Sequence, residues 1–310
     1  MEVGCRRSRW LAVSLPLLSV ALAGMACDRS SSGPEDKTAA CPCGDPPASS
    51  DIEDTEVPQP PLEFAFASGS KRAITVEEMA AIPGGLQTLT VDNPDQGRPQ
   101  TYRGYWLRDV MAAVDFDPAV ASELIFHCAD GYAPHHAPDK LAGLQLFLAI
   151  GQVGVPGGGR WEKVKIGKDY LSPEPYYIVT RDPASYKQFS WPLQVMTIEA
   201  MSRRPEYALA YPQGASEDGP VMHGFRLFKS LCLGCHSMNL QGGSVGPELN
   251  VPRSITEYRT PRFLRDFIRT PGSFRARSKM PGYPQLSSTD MDALLAYLGY
   301  MKAHQRTQGL

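Results

Sequence analysis

Apolar residues along this chain fall into distinct regimes. There is a short unbroken run at the start, mixed periods of two and 3.6 through the middle, and helical spacing at the end. In the middle, "LQTLTV", "ELIFHC", "PYYIVT" and "VMTIEAM" are rich in β-branched and aromatic residues and predict strands. "ITVEEMAAIP" places Thr75 as N-cap with Glu78 three later, a capping box, and Pro83 and Gly84 end the helix. "WLRDVMAAV" sets Leu107, Val110, Met111 and Val114 on one helical face. "GQVGVPGGGRW" predicts a loop. This alternation predicts an α+β domain over 61–202. The last ninety residues predict helices: "GFRLFKSLC" repeats Phe225, Phe228 and Cys232, and "TPRFLRDFIRT" begins with Thr260 as cap and Pro261 at the first helical position. "SSTDMDALLAYLGYM" lines up Met291, Leu294, Leu295 and Leu298 behind a serine cap at Ser287 or Ser288.

Two hydrophilic stretches punctuate these blocks. Residues 27–60 are dominated by Ser, Pro, Asp and Glu, which bury too little to order themselves, and predict a flexible tether. Residues 203–220, "RRPEYALAYPQGASEDGP", predict a linker between two bodies, the second spanning 221–310. At the other end, Arg6, Arg7 and Arg9 precede the apolar run Leu11 to Ala23 and the small residues of "AGMAC", an export signal over 1–26. The run is too short for a membrane span. "ALAGMAC" resembles a lipobox, which makes Cys27 the lipid-modified first residue of a bacterial lipoprotein; cleavage after Ala26 by ordinary signal peptidase is the alternative. The expected location is the periplasm, reached by the general secretory route and anchored through Cys27.

Net charge is −2, but it is unevenly spread: from Val221 to Leu310 there are 12 Lys+Arg against 5 Asp+Glu. A basic module on an acidic chain points to an acidic protein partner or to the anionic groups of a cofactor, with a merely solvated basic face as the alternative; no nucleic-acid partner is expected. Cysteine usage excludes a disulfide scaffold, since Cys41, Cys43 and Cys128 are left over after the signal, the cleavage point and one motif.

That motif is "SLCLGCHSM". Two thiols separated by two residues can add to neighbouring vinyl groups of one porphyrin, and a histidine directly after the second is turned beneath the iron. A thioredoxin-like pair needs a βαβ context, which is lacking, and zinc wants further ligands, usually a second cysteine pair. Cys232, Cys235 and His236 therefore read as the attachment site of one covalent haem c.

Through this whole module the chain resembles a class I cytochrome c. The resemblance implies a methionine as sixth ligand shortly before the last helix, and "SKMPGYPQLSS" supplies Met280, 44 residues after His236. "VGPEL" is similar to the family segment whose carbonyl, here Pro247, accepts from the histidine and fixes its tautomer. Gly224 and Phe228 match the family's crossing of first and last helices, with Leu294 and Tyr297 as partners. Histidine–methionine ligation implies a closed iron that passes single electrons. Arg262, Arg265, Arg269, Arg275, Arg277 and Lys279 are candidates for holding propionates or meeting a redox partner.

Residues 61–202 resemble the molybdopterin-binding domain of the sulfite-oxidase family. The likeness rests on "YRGYWLRDVMAAVDFDP", "LIFHCADGYAPHHAPDKLA" and "SYKQFSWPLQVMTIEAM". In that family a cysteine thiolate binds molybdenum from a segment ahead of these blocks. Here that segment, "LQTLTVDNPDQGRPQ", has no cysteine, so molybdopterin is not expected. Cys128, with His127, His135 and His136, forms a second candidate metal site. The expected fold is a sulfite-oxidase-like α+β domain followed by an all-α class I cytochrome c domain. The expected function is single-electron transfer between redox proteins, the first domain serving as a docking module. The alternatives are a dehydrogenase that oxidises a small substrate at the first domain, and an accessory haem subunit of a respiratory complex.

Overall fold

The computed structural model describes residues 58–166, 168–201 and 209–305. The expected signal, Cys27 and most of the expected tether lie outside the described residues. So do residue 202 and residues 203–208 of the expected linker.

Strands dominate the region up to Met201. One sheet is built from β1 (Leu62–Ala65), β2 (Lys71–Ile74), β5 (Glu123–Cys128), β6 (His135–His136) and β11 (Val195–Met201), in the order β2-β1-β11-β5-β6. A second is built from β3 (Gln87–Asn93), β4 (Arg98–Trp106), β7 (Leu146–Gln152) and β10 (Tyr177–Thr180), in the order β10-β7-β4-β3. A small hairpin, β8 (Val164–Ile166) with β9 (Asp169–Leu171), stands apart from both. Pairing is antiparallel except where β1 runs parallel to β11, which brings the two ends of the region together. Alternate residues point to opposite faces of a strand, so Leu62 and Phe64 of β1 go inward. They share one apolar core with Phe126, Leu148, Ile178 and Ile198, drawn from both sheets.

Helices here are short: α1 (Val76–Met79), α2 (Leu107–Ala113) and α3 (Pro138–Ala142). The capping box of Thr75 and Glu78 forms as read, and Leu107, Val110, Met111 and Val114 are all buried. The result is more strongly β than an even α+β mixture, because the helical patterns last only one or two turns before Gly, Pro or a new strand intervenes.

The rest is helical: α4 (Pro220–Leu231), α5 (Ile255–Tyr258), α6 (Pro261–Arg269), α7 (Pro271–Phe274) and α8 (Ser288–Lys302), with one small ribbon of β12 (Ser237–Met238) and β13 (Gln241–Gly242). Thr260 caps α6 through its hydroxyl, and Ser287 with Asp290 forms a capping box on α8. The crossing of α4 and α8 is close enough to require glycine. A methyl group at Gly224 would lie 2.0 Å from the Ala293 carbonyl oxygen and 2.8 Å from Cβ of Tyr297. Phe228 packs its ring 5.1 Å from that of Tyr297. Residues 209–219 pack onto this helical body: Ala210 is fully buried and its carbonyl accepts from the Tyr297 hydroxyl at 2.7 Å. Among the described residues no helix is long and apolar enough to cross a membrane.

Candidate haem-attachment site

Helix α4 delivers the motif. Cys232 ends it in helical conformation, its N–H donating to Phe228 O at 2.8 Å, and Leu233 follows into the core with no exposure. The chain then closes one tight turn, with Cys235 N and His236 N both donating to Cys232 O, at 3.0 and 2.8 Å. That turn fixes the spacing of the two thiols, which are not joined in a disulfide. Burial pushes Cys232 up to about 12 and Cys235 up to about 11, so both are neutral thiols. A redox-active pair needs a stabilised thiolate, which this environment disfavours.

A second loop is laced onto the first. Gly243 N donates to Leu233 O and Gly246 N to Cys235 O, each at 2.8 Å. Pro247 follows, and its carbonyl lies 2.8 Å from Nδ1 of His236. A carbonyl only accepts, so Nδ1 carries the proton and Nε2 keeps its lone pair. Burial lowers the pKa of His236, against a smaller upward pull from the Pro247 bond, and favours the neutral imidazole that a metal needs. The ring lies flat against Gly246, where a methyl group would come within 2.3 Å of Cε1.

Glu248, a residue the spacing of the motif does not single out, organises this loop. Its carboxylate accepts from the N–H groups of Asn239, Leu240, Asn250 and Val251 at 2.7–3.1 Å. Burial pushes its pKa up, but these bonds and one from Ser237 outweigh it and hold the group ionised below its usual range. Asn239 and Leu240 have positive φ, 54° and 68°, and the carboxylate pins both amides. An acid directly after the Pro247 carbonyl was the available signal.

Met280 sits between α7 and α8, half-buried against the helical core. Met222, Met238, Met291 and Met301 are all within 2% of full burial in that core, which leaves Met280 as the thioether at a surface. Its loop is tied back by Tyr283, whose N–H donates to Ile268 O at 3.0 Å and whose hydroxyl donates to Leu231 O at 2.8 Å, one residue before Cys232. The arginines differ in surroundings. Arg265 pairs with Asp292, Arg275 lies over the ring of Phe267, and Arg269 reaches Leu286 O at 3.5 Å, while Arg262 and Arg277 are exposed. Lys279 pairs with Asp169 of the β-rich region at 2.9 Å.

The second candidate site does not assemble. His127 and Cys128 are neighbours on β5 and face opposite sides of the sheet. His127 meets Glu199 at 2.6 Å, whereas Cys128 is buried with its thiol directed to Phe126 O at 3.7 Å. Burial raises the Cys128 pKa strongly, so it does not fit a thiolate that would bind molybdenum. His135 lies 3.4 Å from Glu123, and His136 is held between Phe126 and Phe189 and lowered to about 4 by burial. Among the described residues no group of three or more His, Cys, Asp or Glu is placed to hold a metal ion.

Residues 219–298 match the family model for cytochrome c oxidase, cbb3-type, subunit III. Over 77 residues the chain is 36% identical to cytochrome c oxidase subunit 2 of Alkalihalophilus pseudofirmus. That match covers 23% of this chain and 22% of the relative, so the chain spans only about a fifth of the curated protein it matches. The helical region is thus a c-type cytochrome domain, and it is of the kind found in cbb3-type subunit III. Such a domain carries covalently bound haem c. A domain of this kind carries single electrons at its haem, which assigns that chemistry to the helical region.

Proposed function

We propose that this chain is a single-haem electron carrier facing the periplasm, exported by the general secretory route and held at a membrane by a lipid on Cys27. Residues 61–202 then serve as a docking module of sulfite-oxidase-like fold without molybdenum. The observation that carries the carrier role is the bond from His236 Nδ1 to the Pro247 carbonyl beside two cysteines that form no disulfide. When bound, the haem supplies one-electron chemistry at its iron. Cys232 and Cys235 would hold it covalently, His236 would offer Nε2, and Met280 would offer a soft thioether that leaves no position for a substrate. Pro247 keeps the proton on Nδ1 and so keeps Nε2 basic. The basic face around α6 would meet the acidic surface of a donor or acceptor.

The test is expression with a cytochrome c maturation system. The expected result is porphyrin that stays with the polypeptide on denaturation, with one iron per chain and neither molybdenum nor copper. Porphyrin that runs free overturns the reading, and stoichiometric molybdenum restores the dehydrogenase alternative. The accessory-subunit alternative is favoured by the names of the matched family and relative, both oxidase subunits. Co-purification of an oxidase from solubilised membranes supports it.

A further inference from the structure

The β-rich region does not stand clear of the cytochrome. The loop between β5 and β6, Asp130 to Pro134, lies along the turn that carries both thiols. Ala133 N donates to Gly234 O at 2.8 Å, and Ser244 N donates to Gly131 O at 2.9 Å. Gly234 is one of the two residues between the cysteines. Contact is close on both sides. A methyl group at Gly234 would lie 3.0 Å from the Tyr132 ring, and one at Gly131, where φ is +88°, would lie 2.4 Å from Ser244 Oγ.

Tyr132 is itself held from behind. Its N–H donates to Asp130 Oδ1 at 2.9 Å, its carbonyl accepts from Cys128 N at 2.9 Å, and its hydroxyl is 3.2 Å from Ser190 Oγ. Around this loop Ile125, Ala133 and Met201 of the β-rich region are buried in the same apolar cluster as Phe228, Leu233 and Met291 of the cytochrome. Lys229, one turn before Cys232, reaches across to Glu123.

We propose that Tyr132 and its loop form a permanent wall of the haem site, so that the β-rich region shields the attachment turn from water and Tyr132 is a positioning residue that raises the reduction potential. The proposal deepens the carrier reading and rests on it. An aromatic ring packed on the turn lowers the local dielectric, and a drier site disfavours the oxidised, more highly charged iron. Water admitted in its place favours the oxidised state.

The test uses the full chain with haem attached. Tyr132→Ala is expected to shift the reduced-to-oxidised ratio about tenfold toward oxidised at fixed ambient potential, about 59 mV for one electron. Tyr132→Phe keeps the ring and restores the potential. Gly131→Ala, which drives the loop from Ser244, shifts it in the same direction as Tyr132→Ala. Unchanged potentials in both Tyr132→Ala and Gly131→Ala, with haem still covalently bound, overturn the proposal. Hydrogen exchange at the Ala133 and Ser244 amides reads the wall without the haem. Slow exchange that Gly131→Ala abolishes supports the wall, and fast exchange in the unsubstituted chain overturns it even if the carrier reading stands.

Discussion

At the scale of single residues, the site is a set of constraints that converge on one imidazole. His236 is fixed by the Pro247 carbonyl at one nitrogen and by the absence of a side chain at Gly246. Gly246→Ala therefore forces the ring or the loop to move and is expected to cost about 1–3 kcal/mol, as overpacking does elsewhere. Urea denaturation of the haem-loaded chain measures that loss, and the Soret band reports the displaced ligand. Met280 gives an independent prediction. Its replacement by alanine removes the proposed sixth ligand, so carbon monoxide should bind the reduced protein and the potential should fall; an unchanged reduced spectrum excludes Met280 as the ligand. Cys232, Cys235 and His236 were legible in sequence because covalent attachment dictates their spacing, whereas Met280 and Pro247 rested on the resemblance to a class I cytochrome c. Glu248 was not, because its role is to satisfy amides that come together only after the loop has folded.

At the scale of elements, local signals survived folding and pairing did not show in advance. Caps at Thr75, Thr260 and Ser287 act within three residues, so sequence alone contains them. The parallel pairing of β1 with β11 joins residues such as Glu63 and Thr197, and no local pattern specifies so distant a partner. The failure of the second candidate site has the same origin. Adjacent residues on a strand diverge, so the sequence proximity of His127 and Cys128 is the reason they do not converge. The helix crossing offers the sharpest test at this scale. Gly224→Ala places a methyl group against the Ala293 carbonyl, where α4 and α8 have backbone on both sides and cannot yield cheaply. A loss of about 1–3 kcal/mol, read as a lower urea midpoint, is expected. An equal midpoint would mean that the helices separate without cost.

At the scale of the whole molecule, the question is whether the two bodies behave as one. The sequence marks 203–220 as a hydrophilic break, yet residues 209–219 pack onto the cytochrome and the contact beyond them is apolar and ionic. The ionic part matters because its carboxylate is buried. Glu123 is 4% exposed; burial pushes its pKa up, while the His135 partner pulls it down. Burial pulls the Lys229 pKa down, yet its ammonium reaches Glu123 from the other body. Lys229→Leu removes that cation and leaves the carboxyl facing His135 in an apolar contact. The folded variant then holds Glu123 protonated more tightly than the unfolded chain does. A carboxyl whose folded pKa is raised stabilises fully below its unfolded pKa and loses that contribution as pH rises, so the penalty must grow with pH. Urea unfolding at pH 5 and pH 8 should show a small loss at the lower value and a larger one at the higher, within the about 3–5 kcal/mol typical of a broken buried pair. It should also split one transition into two, the β-rich region parting from the cytochrome. A single transition with a pH-independent loss would mean that the Lys229–Glu123 pair does not hold the two bodies together.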